Sequence, residues 1–363
     1  MTQDRFIWQE GDIVITPPSD EKRDWAEWDA EHPYVPHPKE LTGGAHVPAI
    51  QGSFAKTGEF QRDLSLSQLD PDTAKQCEYR MTNSMGVTPA QAQQNLVDRA
   101  STASPEEAEE ASHWYENAQK FNQSVAESSG LNEHVVAAIT AANSPGQLWE
   151  SNMRATQLIA NASSPEGRAQ VLTQDLADKI NAKIGAGHDQ VTAGQTWGEV
   201  MDHDPRAGAI MIGRDAGFQL RTYDNLTKGV QLATSNDPNK IGDIITGAKV
   251  RSFFNCMEGS KVDVCSDIHM QRAMVNGNEN PGGHDLIRQV EKNETAITGT
   301  PGLGGAGLGA YPVMADVVRS AAAQYNQEHG TSYTPAQFQA ITWVQQIGAY
   351  PRARMKSVLR GAE

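Results

Sequence analysis

Gly247-Ala248-Lys249-Val250 and Asp267-Ile268-His269-Met270 frame a segment in which one turn presents a lysine and the next presents an aspartate. Val250, Phe253, Phe254 and Met257 follow the lysine at helical spacing, so Lys249 is expected to open a helix. The polar link Glu258-Gly259-Ser260-Lys261 leads through Val262-Asp263-Val264-Cys265-Ser266 to Asp267, which is placed to open another. A lysine and an aspartate at two helix starts can face one cleft. A neutral lysine beside a carboxylate is the pair that Schiff-base chemistry requires. Spacing alone favours a surface lysine and a helix-capping aspartate, since Asp is a favoured cap.

The two quartets resemble the catalytic segment of the helix-hairpin-helix DNA glycosylase superfamily, and above all its 8-oxoguanine branch. There a Gly-x-Lys-Val turn supplies the lysine nucleophile. A following Asp-x-His-Met-like segment supplies a catalytic aspartate and a phosphate-binding histidine. The resemblance assigns those roles to Lys249, Asp267 and His269, with Gly247 in the DNA-gripping hairpin. The family hairpin reads Leu-Pro-Gly-x-Gly before the lysine. This chain has Asp243-Ile244-Ile245-Thr246-Gly247, one glycine fewer.

Composition bounds these readings. The chain has 363 residues, enough for one large domain or two small ones, and 38% hydrophobic residues, which is low for a fully packed protein. A net charge of −15 argues against broad non-specific DNA binding, which rests on cations neutralising phosphates; a local basic cleft remains compatible with it. The three cysteines, Cys77, Cys256 and Cys265, form no Cys-x-x-Cys pair. They suit a reducing cytoplasm and give no iron–sulfur ligand set. The N-terminus lacks an apolar signal core, and no apolar run reaches the roughly eighteen residues of a membrane span.

Residues 1–62 read as an extended arm. Pro17-Pro18, Pro33, Pro36 and Pro38 interrupt regular structure there, around a Trp25/Trp28 stretch. His32, His37 and His46 match no standard metal-ligand spacing and read as surface histidines. Residues 63–363 read as helical. Thr88-Pro89 and Ser104-Pro105-Glu106-Glu107 are helix starts. Ala111, Trp114, Tyr115, Ala118 and Phe121 form a stripe read as core rather than as a ligand box. A helix over 131–142 is broken by Asn143-Ser144-Pro145-Gly146, and another carries Trp149, Met153, Leu158 and Ile159. Asn143 resembles the family's asparagine inserted at the lesion's partner strand; it reads equally as a helix C-cap. Asp202-His203-Asp204 is a polar cluster read as a solvated loop in preference to a metal site. A short helix is expected over 223–233. Beyond the catalytic segment lie the turn-rich 277–283 and the glycine-rich 298–309, then helices over 312–329 and from Thr334-Pro335 onward. Arg352, Arg354, Lys356 and Arg360 form the one basic cluster.

The last helix adds a second resemblance. Gln339-Ala340-Ile341-Thr342-Trp343 is similar to the Gln-Ala-x-x-Phe segment of the 8-oxoguanine branch. The family's glutamine reads the polar edge of the flipped base, and its aromatic stacks on the face. The partner stacking position, four after the lysine, is Phe253 here in place of a smaller residue. The alternative makes Phe253 and Trp343 ordinary core.

Together these resemblances imply an all-α, two-lobed helix-hairpin-helix glycosylase-like fold. They imply a monomeric DNA glycosylase with lyase activity on double-stranded DNA, in the cytoplasm of a bacterium or phage-infected host, needing neither metal nor organic cofactor. Such an enzyme extrudes a base at a cost of a few kcal/mol and recovers about 1–3 kcal/mol by stacking. Its lysine, with a free pKa near 10.4, must be neutral to attack, and burial at a helix start favours that form. Two other classes fit. One is a phage base-hypermodification transferase or pyrophosphorylase on the same scaffold. Trp114-Tyr115, Asn143-Ser144-Pro145 and the lysine turn also resemble actinobacteriophage proteins. The other is a non-catalytic, virion-associated binding protein, which the acidic charge and proline-rich arm suit.

Overall fold

A computed structural model describes residues 71–145, 147, 149–213, 223–245, 247–275 and 310–349, all within one unit of the chain, Val35–Glu363. The N-terminal arm, the glycine-rich 298–309 and the Arg352–Arg360 cluster lie outside them. The described residues are all-α; their one β feature is an isolated antiparallel bridge between Val171 and Thr196. No helix among them is long and apolar enough to cross a membrane.

Local sequence sets most of the helix starts. α1 spans Pro71–Met85 and α2 Pro89–Ala100. Thr88 caps α2: its hydroxyl accepts from Gln91 N at 3.3 Å, and Gln91 Oε1 accepts from Thr88 N at 3.0 Å. This reciprocal box satisfies two helix-end donors that would otherwise lack partners. Ser104 and Glu107 make the same box at α3, Pro105–Ser112. α4 covers Trp114–Ser129 and ends at Gly130, whose φ of +75° is the left-handed geometry that glycine adopts without penalty. α5 runs Glu133–Asn143 behind the cap Asn132, and α6 runs Trp149–Ser163. There follow α7 (Pro165–Arg168), α8 (Gln174–Ile184), α9 (Trp197–His203), α10 (Pro205–Gly213) and α11 (Tyr223–Ser235). Next come α12 (Ile241–Ile244), α13 (Ala248–Met257), α14 (Ile268–Val275), α15 (Tyr311–His329) and α16 (Pro335–Ala349). Thr334 and Gln337 box the start of α16.

These helices bury two separate apolar clusters. The first is built by α4–α6 and α8–α11, with Phe253, Phe254, Cys256 and Met257 of α13. Within it α11 lies close on α5 and α6. A Cβ on Gly229 would meet Ile159 Cδ1 at 2.6 Å, so a larger residue there would displace that side chain. The second cluster joins α1–α3 to α14 and α15 through Leu96, Met270, Met274 and Met314. α16 serves both: Ala336 and Ala340 pack into the first cluster, and Phe338 and Ile341 into the second. Alternate faces of one helix therefore join two cores, and the seam between them opens beside α16.

Candidate active site

The seam holds a pocket of about 510 Å³. Lys249 stands on the second residue of α13, after the cap Gly247, and lines it. Asp267 immediately precedes α14 and also lines it. Gln339, Ala340 and Trp343 enter from α16, and Phe253 from α13. The lysine helix belongs to the first core and the α14 helix to the second, so the pocket is shared between them.

Asp267 is both a cap and a pocket residue. Its Oδ1 accepts from His269 N at 2.9 Å and Met270 N at 3.0 Å, satisfying the first turn of α14. Its Oδ2 accepts from Trp343 Nε1 at 3.0 Å. Asp267 is thus the helix cap of α14 and also borders the pocket.

The segment leading to Asp267 is fixed by α15. Tyr311, fully buried, donates its hydroxyl to Val264 O at 3.0 Å and accepts from Ser266 N at 3.2 Å. Arg319, 1% exposed, donates Nε to Val262 O at 3.0 Å and Nη1 to Asp316 at 2.8 Å. Cys265 Sγ lies 3.8 Å from Lys249 O as donor, tying the aspartate segment to the lysine turn. Burial pushes the Cys265 thiol up to about 12 even with Lys249 beside it, so the thiol stays protonated and inert as a nucleophile.

Lys249 Nζ donates to Ser144 Oγ at 3.1 Å and lies 5.9 Å from the centroid of the Phe253 ring. Ser144 follows α5 directly, so the break after that helix supplies the lysine's partner. Five rings surround the cavity: Trp114, Tyr115, Trp149, Phe253 and Trp343. Trp114 is their hub, with centroids 4.8 Å from Trp149, 5.6 Å from Trp343 and 5.8 Å from Phe253. Gln339 is 3% exposed, and its Oε1 accepts from the Tyr115 hydroxyl. That leaves the amide N–H of Gln339 for an occupant. Burial raises the Tyr115 phenol well above its ordinary range, so it remains a donor.

Lys249, Phe253, Asp267, Gln339 and Trp343 thus meet in one cavity. Asn143 does not join them. It ends α5 fully buried, both amide atoms lacking a hydrogen bond, with its Nδ2 3.5 Å from a Cβ built on Gly229. It faces α11 rather than solvent, where it cannot reach a DNA strand in this conformation. His269 is half-buried with its ring edge-on to Trp343 at 6.0 Å, and its Nδ1 is buried without a partner. Burial lowers its pKa, so at neutral pH the ring is uncharged. Gly247 has an extended backbone (φ −74°, ψ 136°), and a Cβ there would meet Val250 Cγ2 alone, at 3.9 Å. A one-turn helix, α12, precedes it. Asp202, His203 and Asp204 diverge to Arg168, Asp189 and His188 respectively, each as a separate pair.

Trp114 and Tyr115, whose spacing marks them as core, also line the pocket, as do Trp149, Ser144 and Asn152, for which the sequence suggests no role. Trp114 and Trp149 are only half-buried because one side of each borders the cavity. The aromatic stripe converging with Trp149 just past the helix break was the available signal.

The chain matches the family described as "Family of unknown function (DUF7178)" over residues 78–349. It belongs to that family. The matched span contains every residue lining the pocket. No curated protein and no solved structure matches the chain.

Proposed function

We propose that this member of the family is a DNA N-glycosylase with lyase activity, acting on an extruded base of double-stranded DNA through Lys249. The observation that carries the reading is the convergence of Lys249 and Asp267 on a cavity walled by aromatic rings and bearing the amide donor of Gln339. An extruded base needs flat apolar walls and a few polar readers. A lysine beside that pocket is in position to attack the sugar carbon that carries the base.

In this account the base leaves with the electrons of the glycosidic bond, and Asp267 stabilises the positive charge developing on the sugar. The Lys249 amine bonds to the same carbon. Loss of its proton and opening of the sugar ring give an imine, from which elimination cleaves the strand. Trp343 and Phe253 stack on the base, and Gln339 donates to its edge. His269 and the backbone at Gly247 hold a flanking phosphate. A helix-hairpin-helix relationship accords with α12, the turn and α13, although α12 has only four residues.

The Lys249–Ser144 hydrogen bond also fits a second reading, in which the lysine orients a base that is modified in place rather than removed. Duplex oligonucleotides carrying a panel of modified bases, incubated with the protein and analysed by mass spectrometry, separate the two. Free base and an abasic strand support excision, and a mass gain on an intact strand supports the transferase. An unchanged panel contradicts both.

A further inference from the structure

Asn152 lies three residues after Trp149 on α6, so the two side chains share the helix face that lines the cavity. It is 2% exposed, and its Oδ1 is buried with no hydrogen-bond partner among the described residues. Buried amides are almost always paired, and an apolar side chain of the same shape fits an unoccupied wall better. Asn143 shows that a lone buried amide also occurs inside the helix packing. Asn152 differs in bordering the cavity.

The rest of the pocket's polar inventory shows what Asn152 adds. Gln339 has spent its oxygen on Tyr115, so its remaining group is a donor. Lys249 is a donor, and Ser144 Oγ accepts from it. The Cys265 thiol is directed to Lys249 O, and both Asp267 oxygens are engaged. Asn152 therefore brings an uncommitted neutral acceptor, with an amide donor beside it.

We propose that Asn152 is a specificity-determining residue of this pocket. Its ligand is a planar heterocycle that turns an adjacent N–H and acceptor, the amide or amidine edge of a nucleobase, toward α6. The Asn side chain is the natural bidentate complement of such an edge. This inference rests on the reading of the cavity as a base pocket, and it adds a second polar reader to Gln339.

Three tryptophans line the cavity, so quenching of intrinsic fluorescence reports occupancy without any reaction. The full-length protein is titrated with free uridine and adenosine, and with N3-methyluridine and N6,N6-dimethyladenosine, which lack the donor. The wild type binds at least one parent nucleoside about tenfold or more tightly than its donor-blocked analogue, the usual scale for one hydrogen bond left unpaired. Asn152→Leu binds parent and analogue alike and melts no lower than the wild type, since it removes an unpaired buried oxygen. Asn152→Asp, which keeps the acceptor, keeps the preference. Equal wild-type affinities for parent and analogue overturn the inference without any variant. So does a preference that survives Asn152→Leu, because it is then steric. If no nucleoside quenches the wild type at millimolar concentration, the base-pocket reading fails and this inference falls with it.

Discussion

The indole N–H of Trp343 donates to Oδ2 of Asp267 at 3.0 Å, so the ring that walls the pocket also aims the carboxylate beside it. Oδ1 is held by the first turn of α14. The carboxylate is therefore fixed from two helices, α14 and α16. Phenylalanine, the aromatic of the resembling family at this position, would supply a wall without the aim.

Trp343→Phe keeps an aromatic wall and deletes the hydrogen bond. The single-turnover rate of base release should fall by the equivalent of about 1.5–3 kcal/mol of barrier, the worth of a hydrogen bond to a charged group. Binding of duplex DNA and the melting temperature should change little, because the side chain is only half-buried. A variant that melts much lower but retains its rate per folded molecule would mark Trp343 as core alone.

Ser144→Ala removes the side-chain hydrogen-bond partner of Lys249 Nζ. The freed lysine samples other rotamers, so imine formation should slow by roughly tenfold, the cost of a catalytic group held less well. Stability should stay within about 0.5 kcal/mol, as for substitutions outside the core. Trapping rate and thermal melting on the same preparation give both quantities.

Tyr311→Phe tests the frame behind Asp267. The lost hydroxyl strands Val264 O and Ser266 N in a buried site, which should cost about 1–3 kcal/mol of stability in denaturant titration. The rate of base release should fall as well, since the segment ending in Asp267 loses its anchor. A stability loss with an unchanged rate would mean that the cap of α14 positions the carboxylate unaided.

Much of this architecture was legible because its signals are local. Thr88-Pro89, Ser104-Pro105 and Thr334-Pro335 open helices whose Thr or Ser caps pair with the residue three positions on. Gln339 and Trp343 share a face because four residues is about one helical turn. Lys249 and Asp267 were legible as helix starts for the same reason. Periodicity marks a buried face without saying whether it meets packed atoms or a cavity. Trp114 therefore read as core and proved to border the pocket, whereas Asn143 read as a possible DNA contact and proved to be buried against α11. α10 went unread because its sequence, Pro-Arg-Ala-Gly-Ala-Ile-Met-Ile-Gly, is apolar on almost every side, as suits a helix buried nearly all round.

His134 pairs through Nδ1 with Glu258 Oε2 at 2.7 Å. This hydrogen bond raises the histidine's pKa above its ordinary value of about 6.5, against the opposing effect of burial. A pKa raised on folding stabilises the native state fully below the unfolded value, and that contribution is lost as pH rises through the folded one. His113, raised chiefly by Glu116, acts in the same direction. The melting temperature should therefore fall as pH rises above the ordinary histidine value of about 6.5, and by less in His134→Gln. Parallel pH profiles for the two proteins would remove this pair from the account.

In the proposed reaction Lys249 bonds covalently to a sugar carbon of DNA. Borohydride reduction during incubation with a duplex containing an abasic site tests it directly, because the reagent fixes an imine as a permanent cross-link. The wild type should yield a protein–DNA species that mass spectrometry maps to Lys249, and Lys249→Gln should yield none while melting like the wild type. A cross-link of equal yield in Lys249→Gln, or none from the wild type on a duplex that it demonstrably binds, would contradict the account.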